Sequence, residues 1–229
     1  MVLGKYNALT KNSEIFNSVI DLDNLNKTID DLFPLVLKDE DLSDRGLKET
    51  KFPTPQDLEL YISRGVIDKR IEALKKEIKR DMGDDYVIVY LADGAIPFNE
   101  EFTKGTKMVS YDMKAKSYED NKSTDNLKIL KPINSDDIKG RTVLLLDDII
   151  DTGNTAEKTR DYLISQGAAE VKTCFLLDKI SQRVNGFKAD YVGIQIPNDY
   201  VIGFGMDIEV KGKEYCRGLK HIYKNNPKN

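Results

Sequence analysis

Between residues 65 and 82 the apolar positions Ile67, Ile71, Leu74, Ile78 and Met82 recur at steps of three and four, with Lys and Arg filling the opposite positions. That spacing lays one apolar stripe along a helix, and Gly83 supplies its stop. The run that follows, Tyr86-Val87-Ile88-Val89-Tyr90-Leu91, has no polar alternation. It predicts a strand buried on both faces. Further strands are predicted at 107–113, 127–130, 143–146, 171–177 and 191–196, around a polar stretch at 114–126. A helix is predicted from Asn154 to Gln166, stopped by Gly167. Strands alternating with helices predict an α/β fold, a Rossmann-like, mostly parallel sheet flanked by helices. The first 55 residues read differently: helix-like spacing over 21–37 is broken by Pro34, and a charged stretch ends in Pro53 and Pro55. They predict a helical extension and linker, leaving 56–229 as the main domain. No internal repeat of solenoid type is present.

Composition narrows the function. Lys plus Arg is 35 against 39 for Asp plus Glu, a formal charge of −4 over 229 residues. A general nucleic-acid binder needs a basic excess to neutralise phosphates, so no nucleic-acid partner is expected. No apolar run approaches the length of a membrane span, and the first residues lack a signal-peptide pattern. Only Cys174 and Cys216 are present, without metal-ligand or redox spacing. The expectation is a cytoplasmic protein with no disulfide framework and no membrane partner. With His221 as the one histidine, acid–base chemistry falls to carboxylates, Lys or Tyr.

The most informative stretch runs from Val143-Leu144-Leu145-Leu146 through Asp147-Asp148-Ile149-Ile150-Asp151 into Thr152-Gly153-Asn154-Thr155. A buried strand here feeds acids, then a Gly/Thr turn, then a helix. The carboxyl end of a parallel strand is where open α/β sheets bind ligands. The helix N-terminus offers unpaired N–H groups, the threonines add hydroxyls, and Gly153 lets backbone approach closely, which together suit a monophosphate. Asp147 and Asp148 lie where sugar hydroxyls would be accepted. Aspartates after a strand also serve as simple helix caps, and that reading stays open from the motif alone. The spacing Asp147-Asp148-x-x-Asp151 matches the metal-binding acids of prenyl-diphosphate enzymes, but the Thr-Gly breaker opposes the long helix those need. An ATPase of the P-loop type is excluded, because no G-x-x-x-x-G-K-[ST] exists in the chain.

The stretch Leu146 to Gly153 resembles the phosphoribosyl-pyrophosphate signature of type I phosphoribosyltransferases, in their hypoxanthine-guanine branch. The resemblance covers roughly residues 60–223. Ser63-Arg64-Gly65-Val66-Ile67 resembles the family's opening helix. Lys116-Ser117-Tyr118 with Ser123-Thr124-Asp125-Asn126-Leu127-Lys128 resembles its mobile catalytic loop. Leu176-Leu177-Asp178-Lys179 resembles the strand bearing its base-recognising lysine. Ile196 to Gly203, then Asp207, then Glu214-Tyr215-Cys216-Arg217, resembles its C-terminal hood.

The resemblance implies a hood subdomain built from both ends of the domain, and transfer of a 5-phosphoribosyl group from phosphoribosyl pyrophosphate to a 6-oxopurine with Mg²⁺. Asp151 would be the proton acceptor, with Ser117 and Tyr118 on a loop closing over the site. Asp147, Asp148, Thr152, Gly153, Asn154 and Thr155 would hold the phosphoribosyl half, and Ala92, Asp93, Gly94 and Arg217 the pyrophosphate. Lys179 would donate to the 6-oxo group, Tyr200 would stack on the base, and Val201 would contact its edge. Asp207 would border the purine and, with Asp147 and Asp148, hold the metal, a hard cation that favours oxygen. A homodimer or homotetramer is implied.

Four departures stand out. Asp147 replaces a common Glu, and Asn154 a common Lys. About four extra residues, among them Lys211 and Lys213, separate Asp207 from Arg217. The largest departure is Ala92-Asp93, where relatives carry a Lys-Gly or similar pair. It is expected to set the Asp93 carboxylate against an anion, so a nucleotide-binding relative without turnover stays open as the alternative.

Overall fold

Alternate residues of the central strands enter two different apolar layers, and this sets the architecture. The computed structural model describes residues 58–118, 126–210 and 213–225, so the expected N-terminal extension lies outside the described residues. In chain order the elements are β1 (Leu58–Ile62), α1 (Arg64–Met82), β2 (Val87–Leu91), α2 (Ile96–Thr103), β3 (Ser110–Tyr118), β4 (Asn126–Lys131), α3 (Ser135–Ile138), β5 (Thr142–Ile150), α4 (Asn154–Ser165), β6 (Glu170–Asp178), β7 (Tyr191–Gln195), β8 (Val201–Ile202), β9 (Ile208–Val210), β10 (Lys213–Tyr215) and β11 (Ile222–Asn225). On one side of the sheet Ile88, Leu144, Leu146, Cys174 and Leu176 pack with Ile67, Ile71, Leu74 and Ile78 of α1 and Phe98 and Phe102 of α2. On the other, Val87, Val89, Leu91, Val143, Leu145 and Val171 pack with Ile138 of α3 and Leu163 of α4. Strands apolar on both sides need helices on both sides, because each face must be removed from water.

The six-stranded sheet has the order β4-β3-β2-β5-β6-β7. Its pairs are parallel except β3–β4. From β2 the chain builds first toward β3 and β4, then returns to add β5, β6 and β7 on the other side. The β2/β5 boundary is therefore the switch point, where loops at the carboxyl ends diverge and leave a crevice.

Helix α1 follows its apolar stripe, with Lys79 and Arg80 in its last turn and Gly83 at φ +73° ending it. Two strands run past the expected ends. β3 continues to Tyr118 because its tail pairs antiparallel with β4. β5 continues through Asp147 and Asp148 to Ile150 because the ladder to β6 persists to the Ile150–Asp178 pair. Ladder hydrogen bonds from a neighbour hold polar residues in strand conformation that their own pattern does not announce.

A three-stranded antiparallel sheet, β1-β11-β8, joins the first described residues to the last. A hairpin of β9 and β10 stands between Asp207 and Arg217 and takes up the extra residues there. Arg64 ties this region to the main body: its guanidinium meets Glu101 of α2 and Asp68 at 2.6 Å each and lies over the Phe204 ring. Among the described residues no helix is long and apolar enough to cross a membrane.

His221 Nδ1 accepts a hydrogen bond from the Arg64 backbone N–H at 2.8 Å, and its ring meets Tyr223 edge-on. Burial first, then Arg64 and Lys220, hold the imidazole below its ordinary pKa. A depressed pKa means that the folded chain resists the proton. The stability this contact contributes is full above the unfolded value of about 6.5 and is lost as pH falls through the lower folded value. Replacing a hydrogen bond with two opposed donors costs about 1 kcal/mol, or about 2–4 °C in melting temperature for a domain this size. The drop in melting temperature between pH 7 and pH 5 is expected to shrink by that amount in His221→Asn; equal drops in both proteins would dismiss the contact as a pH-sensitive element.

Candidate active site

At the switch point two loops leave the carboxyl ends of β2 and β5 side by side. Ala92-Asp93-Gly94 follows β2, and the Ala92–Asp93 peptide is cis. Gly94 packs so closely on β5 that a Cβ there would overlap the Asp148 carboxylate. Only glycine allows that approach, so the β2 turn and the β5 acids share one wall.

Asp147 and Asp148 sit half-buried near the end of β5. Asp147 Oδ1 accepts from the Asp148 N–H at 3.0 Å, and Asp148 Oδ1 from the Ile149 N–H at 2.7 Å. Burial, then the like charge of Asp148, pushes Asp147 well above the usual carboxylate range. Burial raises Asp148 too, opposed by hydrogen bonding with Asp147 and the Ile149 N–H, and by the positive charge of Arg217. Two crowded carboxylates of this kind gain from a cation or from hydroxyl donors. Oxygen donors in this state fit Mg²⁺. Among the described residues, however, no group of three or more His, Cys, Asp or Glu side chains forms a cation cage. Mg²⁺ commonly takes one or two carboxylates and completes its shell with water and substrate phosphate, and these two acids suit that arrangement.

Beyond β5 the chain turns through Asp151, Thr152 and Gly153 into α4. Gly153 caps the helix at φ +91°, a left-handed conformation that glycine adopts without strain. The Asn154 N–H lies 3.4 Å from Thr152 Oγ1. The N-terminal turn of α4, led by Asn154 and Thr155, follows this glycine directly, and a helix start offers N–H groups to an anion.

Asp151 meets Lys179, which follows β6, at 3.3 Å. Their surroundings differ: the Lys179 side chain is 11% exposed and the Asp151 side chain 49%. The backbone N–H of Lys179 bonds to the Ile150 carbonyl at 3.0 Å, so adjacent strands position both groups. A half-open carboxylate beside a sheltered ammonium presents one acceptor and one donor to the same ligand edge.

The β8–β11 region packs against the β2 turn, where a Cβ on Gly205 would overlap the Gly94 carbonyl. Tyr200 is 50% exposed and donates its hydroxyl to the Asp207 carbonyl at 3.2 Å, leaving a ring face open. Val201, next to it, is buried. Asp207 Oδ1 meets Arg217 at 3.1 Å, and Arg217 also bonds to Glu214 at 3.0 Å and to the Gly205 carbonyl at 2.6 Å. Asp207 is therefore held by Arg217, whose positive charge also reaches Asp148 of β5.

Two expectations need correction. Ser117 and Tyr118 belong to strand β3, paired with Leu127 and Asn126, and not to a loop. The cause is the antiparallel β3–β4 ladder; residues 119–125 lie outside the described residues. The second concerns Asp93, whose carboxylate does not face the crevice uncompensated: Lys114 of β3 meets it at 2.6 Å.

Sequence reasoning also missed Arg183. Its guanidinium, 10% exposed, bonds to the Asp178 carboxylate and to the backbone carbonyl of Asp151, and its Nε reaches the Phe187 carbonyl at 3.2 Å. Asn185 beside it bonds to Glu157 of α4 at 2.7 Å. This loop props the phosphate turn from behind. Its residues lie far from the turn in sequence and follow no periodic pattern, so only the charge at 183, four residues after Lys179, hinted at it.

Comparison with known proteins agrees with this geometry. The phosphoribosyl transferase domain matches residues 59–209. A hypoxanthine-guanine phosphoribosyltransferase of Aquifex aeolicus is 35% identical over 171 residues, covering 72% of this chain and 93% of the relative. The hypoxanthine phosphoribosyltransferase of Escherichia coli K12 is 36% identical over 172 residues, covering 72% and 92%. The crystal structure of a hypoxanthine phosphoribosyltransferase from Staphylococcus aureus superposes with a TM-score of 0.68 at 28% identity, covering 78% of this chain and 97% of its own. With the β2 turn packed on the β5 acids, the glycine turn before α4 and the Asp151–Lys179 pair in place, the chain belongs to the hypoxanthine-guanine branch of the phosphoribosyltransferase family.

Proposed function

We propose that this protein transfers a 5-phosphoribosyl group from phosphoribosyl pyrophosphate to a 6-oxopurine, hypoxanthine or guanine, giving the nucleoside monophosphate (IMP or GMP) and pyrophosphate in purine salvage. The observation that carries this reading is the Asp151–Lys179 pair at 3.3 Å, one residue past adjacent parallel strands and beside the phosphate turn. In this reading Lys179 donates to the 6-oxo oxygen and Asp151 accepts the proton that the imidazole ring of the purine loses. The bond from the ribose anomeric carbon to the pyrophosphate oxygen breaks, its electron pair leaves with pyrophosphate, and a purine nitrogen bonds to that carbon. The transition state is cation-like at the sugar and gains negative charge at the leaving group, so fixed cations there act where charge develops. Arg217 offers a planar fork suited to phosphate oxygens.

Asp147 and Asp148 would hold Mg²⁺ or the ribose hydroxyls, with Asp207 bordering the metal and the purine. The metal, when bound, would neutralise charge on the pyrophosphate. Tyr200 supplies a stacking face and Val201 a backbone edge. Ser117 and Tyr118, at the end of β3, are assigned to covering the site. We propose a cytoplasmic homodimer or homotetramer acting on small molecules only. The Lys114–Asp93 contact removes the reason for a reading without turnover, because the carboxylate in the β2 turn already has a counter-charge.

The direct test is pyrophosphate release from phosphoribosyl pyrophosphate and Mg²⁺ with hypoxanthine, guanine and xanthine in turn; no release with any of them would refute the reading. A narrower test is Lys179→Ala. Loss of a charged hydrogen bond to the 6-oxo oxygen costs about 1.5–3 kcal/mol, roughly 10- to 150-fold in purine KM. The KM for phosphoribosyl pyrophosphate should stay within about threefold. Equal loss for both substrates would place the lysine elsewhere.

A further inference from the structure

The turn that the proposed function gives to pyrophosphate carries a carboxylate, and the structure supplies a cation for it from a different strand. The parallel register of β2 and β3 sets Leu91 beside Met113. Lys114, the next residue, thereby comes level with the turn that follows β2. Its Nζ stands 2.6 Å from Asp93 Oδ2, and the two side chains are 43% and 34% exposed. Solvent reaches both partners.

Arg217 lies within electrostatic reach of Asp93 from the hood side. Arg217 and Glu214 also lie within electrostatic reach of Lys114. Gly94, next to Asp93, packs on Asp148. One carboxylate is thus flanked by two cations at the carboxyl end of β2, against the wall of acids on β5. An exposed ion pair of this kind adds little to stability, because water already solvates both charges well. Its value lies in where it holds the ammonium: three rotatable donors level with the turn after β2, within electrostatic reach of Arg217.

We propose that Lys114 is a further leaving-group residue of this enzyme, binding the pyrophosphate moiety together with Arg217, and that Asp93 is the positioning residue that holds its ammonium beside the turn after β2. This rests on the proposed transferase function and deepens it. The cation at this wall comes from β3, not from the turn after β2, whose own side chains here are Ala92 and Asp93. When the sugar–oxygen bond breaks and its electron pair moves to pyrophosphate, an ammonium already in place meets the new charge without reorganisation.

The test is calorimetric titration of inorganic pyrophosphate with Mg²⁺ into the full chain, the Lys114→Ala variant and the Lys114→Arg variant, at low and at moderate salt. IMP serves as the second ligand, since its phosphate is assigned to the turn before α4 and its base to Lys179. Lys114→Ala is expected to bind pyrophosphate at least about tenfold more weakly, with a shallower salt dependence, while IMP affinity stays within about twofold. Lys114→Arg should recover pyrophosphate affinity to within about threefold of the parent. Unchanged pyrophosphate affinity in Lys114→Ala would overturn the proposal. So would equal losses for pyrophosphate and IMP, which would mark Lys114 as merely structural, and so would a parent protein that binds no pyrophosphate. Turnover of hypoxanthine by the parent is measured separately. If it is present and the titration fails, only Lys114 is refuted; if it is absent, the function is refuted, and the titration still decides whether Lys114 holds a diphosphate.

Discussion

Asp151→Asn is expected to lower kcat by about 10²- to 10⁴-fold, the usual cost of losing a general base, while affinity for phosphoribosyl pyrophosphate changes by less than about threefold. Asn keeps the size of the side chain and its acceptor oxygen, but it cannot take a proton. The purine must shed one as its nitrogen bonds to the sugar carbon, and Asp151, beside the sheltered Lys179 ammonium, is the acceptor we propose. Its half-open position gives the proton a path to water afterwards. The turn is held by backbone contacts: the Val184 N–H bonds to the Thr152 carbonyl at 3.2 Å and the Glu157 N–H to the Gly153 carbonyl at 3.0 Å. The phosphate cradle therefore survives the substitution. Steady-state kinetics with hypoxanthine and calorimetry with phosphoribosyl pyrophosphate check both halves. A kcat within threefold of the parent would remove Asp151 from this role.

The second large effect is on stability. Arg183→Met takes away the guanidinium that meets the buried Asp178 carboxylate, whose side chain is 6% exposed. Breaking one partner of a buried pair strands a charge in a poorly solvated place and costs about 3–5 kcal/mol, equivalent to roughly 10 °C in melting temperature. The double variant Arg183→Met/Asp178→Leu should regain much of that loss, because no lone charge remains. Activity should fall in both variants, since the Asp151 carbonyl and the loop behind the phosphate turn lose the same anchor. A single variant melting within 2 °C of the parent would show that Asp178 finds compensation elsewhere.

These two residues illustrate how differently parts of the site are written in the chain. Asp151 stands in a contiguous segment where strand, acids, glycine and helix start follow one another, so its place beside the turn was legible from local order, while its role as proton acceptor came only from the family resemblance. Arg183 and Lys114 are single charges among 35 basic residues. Nothing in their neighbours separates them from a solvated surface, because their partners come from other strands and other loops.

By itself the sequence determined the alternation of buried strands and amphipathic helix α1, and the position of the glycine turn between β5 and α4; the lysine after β6 stood out only through the family resemblance. The first two follow from short-range physics: side-chain period, a glycine where φ is positive, and donors clustered at a helix start. Tertiary structure decided the rest. Strand order brought the β2 turn against β5, so that Gly94 meets Asp148. The β3–β4 ladder turned Ser117 and Tyr118 from expected loop into strand, since backbone hydrogen bonds from a neighbour outweigh weak local preference. The β2–β3 register placed Lys114 beside Asp93, so a carboxylate that looks repulsive in the chain is neutralised in space. Charge compensation of this kind depends on distance through the fold, and no pattern along the chain encodes it.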